Sequence, residues 1–177
     1  MVKIIGIDPG LADTGIGVVS GYRYEVASYA FGTISTKPST PLPLRLNKLY
    51  SELYELFECE KPNLVILEDV FSLQRYPKSG IALGQVTGIT LLAAARLNIA
   101  AKTVSVREAK KILTGKGSAS KQQLELAVRD YLKHKTKIAP LHASDALCLA
   151  LIGLFRYHEN MDGQSLNMSY QDSEFAF

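Results

Sequence analysis

Three carboxylates stand where folding alone does not require them. Asp8 closes the weakly alternating run Lys3 to Asp8 just before a Pro9-Gly10 turn, Glu68 closes the apolar run Leu64-Val65-Ile66-Leu67, and Asp145 lies inside the apolar stretch Ala143 to Leu151. An unpaired carboxylate in such surroundings is costly, so each has to be paired, protonated or bound to a cation. Hard oxygen donors suit Mg²⁺ or Mn²⁺, and two such ions about 4 Å apart activate a water and stabilise the leaving oxygen of a phosphodiester. His142 precedes Asp145 by three residues, which puts both on one face near the start of a helix, a natural supplement to a metal site. Glu68 and its neighbour Asp69 point to opposite sides of a strand, and spacing alone leaves open which of them faces the site.

The elements that must position these groups follow from periodicity. Lys3–Asp8, Gly15–Ser20 and Tyr22–Ser35 are rich in Val, Ile, Tyr and Thr and read as three consecutive antiparallel strands. After the Pro-containing link Lys37–Pro43, the spacing of Leu46, Leu49, Tyr50, Leu53, Leu56 and Phe57 predicts a helix that ends before Pro62. Leu64–Leu67 is a strand covered on both faces. A polar loop, Ser72–Ser79, leads to a helix over Ile81–Leu97, whose small residues permit close approach of another helix: either a second copy's, or the chain's own sheet. Ile99–Val106 is a fifth strand, Arg107–Leu113 a short helix, Thr114–Ser118 a basic loop, and Ser120 caps a helix over Lys121–Lys133. A last helix runs from Leu141 to His158. The order βββαβαβααα predicts an α/β fold, a mixed sheet with helices on both faces.

Length and composition fit this outline. The 177 residues suit one domain over 1–158, followed by an acidic, mobile tail over 159–177 that holds four acids and no Lys or Arg. Apolar residues make up 47% and charged residues 21%, enough for a core and against global disorder. No apolar run reaches the length of a membrane span, and the first residues enter a strand pattern rather than a secretory leader, so a cytoplasmic protein is expected. Cys59 and Cys148 have no CxxC partner, and Cys148 reads as core packing. The net charge of +3 hides a body of +7, and Lys102–Lys137 alone carries ten basic against three acidic residues. A surface that tracks a phosphate backbone has this character, as does a solvated helical face.

The segments Gly6-Ile7-Asp8-Pro9-Gly10, Thr14-Gly15-Ile16-Gly17-Val18, Ile66-Leu67-Glu68-Asp69-Val70-Phe71, Ala82–Gly88, Val106–Lys110, Gly115–Lys121 and His142-Ala143-Ser144-Asp145-Ala146-Leu147 occur in order across residues 2 to 158. Together they resemble the RuvC-type Holliday-junction resolvases of the RNase H-like superfamily. The resemblance implies an RNase H-like mixed five-stranded sheet, a homodimer, a branch-migration helicase complex as partner, and paired symmetric nicking of four-way junction DNA in recombination and repair. The chemistry it implies is two-metal-ion hydrolysis leaving 5′-phosphate and 3′-hydroxyl ends. Carried over position by position, Asp8, Glu68 and Asp145 match the family's metal-binding acids, which selects Glu68 over Asp69. His142 falls where many members have a fourth acid, so one charge is replaced by a softer nitrogen ligand and Mn²⁺ is expected to serve at least as well as Mg²⁺. Phe71 matches the aromatic inserted at the junction centre, a core Phe being its alternative. Lys110 and Lys121 match lysines near the scissile strand, and Lys111, Lys116 and Arg75 are expected as general DNA backbone contacts. A sugar-kinase-like reading of the first turn would need two such domains, which this length does not supply.

Overall fold

The computed structural model of the chain describes residues 1–69 and 77–159. Its elements are β1 (Val2–Asp8), β2 (Asp13–Tyr22), β3 (Glu25–Ser35), α1 (Leu42–Glu60), β4 (Leu64–Glu68), α2 (Pro77–Arg96), β5 (Ala101–Val104), α3 (Val106–Thr114), α4 (Lys121–Tyr131) and α5 (Leu141–Glu159). The five strands form one sheet in the order β3-β2-β1-β4-β5. β1, β2 and β3 are antiparallel neighbours, whereas β4 runs parallel to β1 and β5 parallel to β4. The expected mixed sheet with helices on both faces is therefore present.

The two-residue period of the strands sorts the core into two layers. Ile5, Ile7, Val65 and Leu67 face α1 and α2, where Leu49, Leu53, Phe57, Val86, Ala93 and Ala94 cover them. Ile4, Leu64 and Ile66 face the opposite way, onto α5 with α3 and α4 beside it, among Leu147, Leu151, Ala109, Leu124 and Val128. The same parity sends Asp8 and Glu68 to the α5 side, in step with Ile4 and with Leu64 and Ile66.

α5 lies very close to the sheet because glycines leave room for it. A Cβ on Gly6 would stand 2.0 Å from the Ala146 carbonyl oxygen, one on Gly17 2.5 Å from the Leu147 nitrogen, and one on Gly15 2.1 Å from the His142 carbonyl oxygen. Glycine is the residue that lets one backbone approach another in this way.

Some boundaries differ from the sequence reading, each for a local reason. α2 begins at Pro77, inside the expected loop, because proline at a first helical position loses no hydrogen bond. β5 stops at Val104 because Ser105 caps α3, its side chain accepting from the Glu108 amide, and Val106 is already helical. α4 ends at Tyr131 because Lys133 adopts a left-handed conformation with φ of 53°. The Ser120 cap is as expected, with the reciprocal Gln123 contact of a capping box. Cys148 is buried in the core and burial pushes its thiol up, whereas Cys59 is exposed; neither is in a disulfide. Among the described residues, no helix is long and apolar enough to cross a membrane.

Candidate active site

Asp8 and Glu68 end adjacent parallel strands whose last paired residues are Ile7 and Leu67, so the pleat carries both carboxylates to one corner of the sheet. Asp8 also pairs with Gly15 on β2, and Gly15 touches the backbone of His142. The start of α5 is thereby pressed against the end of β1. His142 Nδ1 donates to Asp8 Oδ2 at 2.6 Å although the two residues lie 134 positions apart. One ligand atom from each of Asp8, His142 and Asp145 falls within 4.8 Å of the others. Glu68 is outside that mutual radius, but it lines a small cavity of about 60 Å³ with Lys110, Lys121 and Asp145. Lys121, at the N-terminus of α4, donates from Nζ to Asp145 Oδ2 at 2.9 Å.

The electrostatics describe a site short of positive charge. Burial, a hydrogen bond with Asp8 and the charges of Asp8 and Asp145 push the Glu68 carboxyl up to about 8, with Lys121 opposing. Burial raises Asp145 as well, against the pull of Lys121. His142 is raised chiefly by its hydrogen bond to Asp8. Burial pulls the Lys121 ammonium down, but its bond to Asp145 and the charges of the acids carry it above the ordinary value. Three carboxylates within reach of one imidazole and one ammonium form a donor set that a divalent cation fits. The oxygens are hard, most are partly withdrawn from water, and burial with the neighbouring carboxylates favours the protonated form of Glu68.

A pH dependence of stability follows. In the unfolded chain Glu68 titrates near 4.5, and in the fold near 8, so its contribution to stability is present below the first value and lost as pH rises through the second. His142, also raised, works in the same direction. With chelator present, the melting temperature is expected to fall as pH rises across this window, and Glu68→Gln is expected to flatten the fall. A divalent cation should raise the melting temperature most at the alkaline end. Thermal melts at stepped pH check this, and a chelated protein that gains stability toward pH 8 would contradict it.

The remaining sequence candidates are distributed as follows. Lys110 faces the small cavity, Lys111 an adjoining face of α3, and Lys116 is exposed in the loop between α3 and α4. Phe71, Arg75 and the tail beyond residue 159 lie outside the described residues. Sequence reasoning missed the ties on the loop that follows Asp8. Arg45 on α1 donates from Nε to Thr36 Oγ1 at 2.7 Å and from a terminal nitrogen to the Leu11 carbonyl at 3.0 Å. Thr36 donates to that carbonyl through its hydroxyl, and its amide donates to Ala12, while Thr14 Oγ1 donates to Gly10. Nothing in the local pattern marks Arg45, because it sits among the polar positions of an amphipathic helix.

Comparison with known proteins is consistent across sequence and structure. The family model described as crossover junction endodeoxyribonuclease RuvC matches residues 4–153. The chain is 35% identical over 156 residues to the crossover junction endodeoxyribonuclease RuvC of Syntrophomonas wolfei, covering 88% of this chain and 90% of the relative. It is 33% identical over 159 residues to that of Rhodopirellula baltica, covering 90% and 89%. Among solved structures, T. thermophilus RuvC in complex with a Holliday junction substrate superposes with a TM-score of 0.84 at 27% identity, over 90% of this chain and 97% of that one. The yeast mitochondrial Holliday junction resolvase Ydc2 shares the fold, with a TM-score of 0.58 at 12% identity over 90% and 81%.

Proposed function

The chain belongs to the RuvC family of crossover junction endodeoxyribonucleases, and on that premise we propose that it cuts four-way junction DNA at the corner where β1, β4 and α5 meet. It is a metal-dependent nuclease of DNA recombination and repair with an RNase H-like fold. The observation that carries the site assignment is the convergence of Asp8, His142 and Asp145 within 4.8 Å, with Glu68 and Asp145 lining one cavity.

Asp8, Glu68, His142 and Asp145 would hold Mg²⁺ or Mn²⁺, two ions per site. Bound there, such ions activate water and stabilise charge on the scissile phosphate and leaving oxygen, giving 5′-phosphate and 3′-hydroxyl ends. The hydrogen bond between His142 Nδ1 and Asp8 fixes the imidazole plane against the carboxylate. Lys121 lies against the acids, and its Nζ, already placed by Asp145, is positioned to meet a non-bridging phosphate oxygen as charge develops. Lys110 brings a second ammonium to the same cavity, while Lys111, Lys116 and Arg75 contact the DNA backbone. Phe71 follows Glu68 by three residues and stacks on an unpaired base at the junction centre, a contact worth ~1–3 kcal/mol.

Two-fold symmetry explains paired nicks in strands of like polarity, so the working unit is a homodimer. α2 offers a surface for it. One face, with Val86, Ala93 and Ala94, is buried in the chain's own core. The other presents Ile81 and Leu92, 65% and 52% exposed, beside Gly84 and Gly88, which have open space around them. Of the two expectations for this helix, packing on the chain's own sheet is present, and the exposed face is the one we propose for the dimer contact. The enzyme works in the cytoplasm with a branch-migration helicase complex.

Cleavage of a mobile four-way junction and of linear duplex, each with Mg²⁺ and with Mn²⁺, tests the reading. Symmetric nicks in the junction, with Mn²⁺ at least as effective as Mg²⁺ because His142 adds a nitrogen ligand, are expected. Equal cutting of duplex would overturn the substrate, and clear superiority of Mg²⁺ the metal preference.

A further inference from the structure

α3 carries basic residues on two sides of its axis. Lys110 faces the catalytic cavity, but Arg107 and Lys111, spaced i and i+4 and therefore on one face, line a separate open cleft of about 730 Å³. Its other walls are Ser105, Glu108, Gly115, Gly117 and Ser118. Most of this wall is neutral backbone or hydroxyl, and the one acid, Glu108, is engaged with Arg156 at 2.6 Å. The cleft is shaped by a loop tied to itself. Gly115 caps α3 in a left-handed conformation with its amide on the Lys111 carbonyl, and Thr114 Oγ1 bonds the Lys110 carbonyl and both the amide and carbonyl of Lys116. Gly117 lies directly on the arginine: a Cβ there would come within 2.8 Å of Arg107 Cγ. The stem of Arg107 thus lies under a glycine, and the residue lines the cleft.

A guanidinium beside an ammonium, in an open cleft whose one acid is already engaged by Arg156, matches a phosphate oxygen cluster. We infer that the cleft between α3 and the Thr114–Ser118 loop is a second phosphate subsite, in which Arg107 and Lys111 jointly hold one DNA backbone phosphate other than the one that is cut. Lys110 and Lys111, neighbours in sequence, then serve different phosphates, and Arg107, unremarkable as one of ten basic residues in its segment, acquires a specific contact. This inference rests on the reading that junction DNA is the substrate.

Junction binding measured in Ca²⁺ or chelator over a range of salt tests it with the full chain. Each phosphate contact contributes about 0.9 to the slope of log affinity against log salt. Arg107→Gln, Lys111→Gln and the double variant should each lower that slope by about one, because one phosphate is shared. Lys61→Gln, at the far end of α1, should keep the parental slope. A junction carrying single methylphosphonates should reveal one position, away from the cleavage site, whose neutralisation weakens the parent but not the double variant. A slope unchanged in the variants, a drop of about two in the double variant, or the absence of such a position would overturn the subsite while leaving the nuclease assignment intact. A parent that does not prefer junction over duplex would remove both.

Discussion

Asp8→Asn is expected to abolish junction cleavage, with a loss on the order of 10³-fold or more, while junction binding is kept. The change is isosteric, so Gly15 stays paired opposite position 8 and α5 stays seated. What disappears is the charge that His142 Nδ1 bonds at 2.6 Å and that helps drive Glu68 up to about 8. An amide in this place is a poor ligand for a hard dication, and it turns one hydrogen-bonding atom from acceptor to donor in front of an imidazole. Binding should hold or tighten, because a negative charge is removed from a surface that meets phosphates. Gel-shift affinity without metal and cleavage rate with Mn²⁺, measured on one preparation, separate the two effects. A variant that still cuts near the parental rate would show that Asp8 is not a ligand.

Gly6→Ala should be among the most destabilising single substitutions in the chain. The new methyl carbon would lie 2.0 Å from the Ala146 carbonyl oxygen and 2.6 Å from the Ala150 nitrogen. Both are backbone atoms of a buried helix, so no side chain can swing aside. Overpacking of this kind typically costs ~1–3 kcal/mol and more where the backbone cannot move. Relief requires α5 to shift away from β1, and α5 carries His142 and Asp145, so activity should fall along with the melting temperature. Gly32→Ala is the matching control: nothing lies within 4 Å of an added Cβ there, and stability should be nearly unchanged. Chemical denaturation of the two variants checks the contrast, and equal stability would mean that the helix is not held as close as described.

The sheet, the order of elements and the three acids were legible because each rests on a local pattern: alternation in the strands, i, i+3, i+4 spacing in α1, and carboxylates set against apolar runs. In the sequence the preference for Glu68 over Asp69 rests on resemblance alone, yet strand parity contains it. Leu64, Ile66 and Glu68 share a face, and α5 covers that face. What could not be read was which face α5 would choose, since β4 is apolar on both sides. Arg45 and Arg107 were invisible for a different reason. Their roles depend on backbone carbonyls, a glycine and a cleft contributed by other segments, and a lone arginine in an amphipathic helix carries no mark of such partners. The start of α2 was misplaced because a proline signals a break to a reader of sequence but can equally open a helix.

The hydrogen bond between Asp8 and His142 joins residues 134 positions apart, and α5 is also the element that covers the inner face of β1. During synthesis, a nascent chain that has not yet released α5 from the ribosome therefore lacks both the Asp8–His142 pairing and the cover of one face of its sheet. Such a chain cannot damage nucleic acid, and it exposes an apolar surface to proteases and chaperones. Closure of α5 onto the sheet is a precondition of the activity, and it comes late in synthesis.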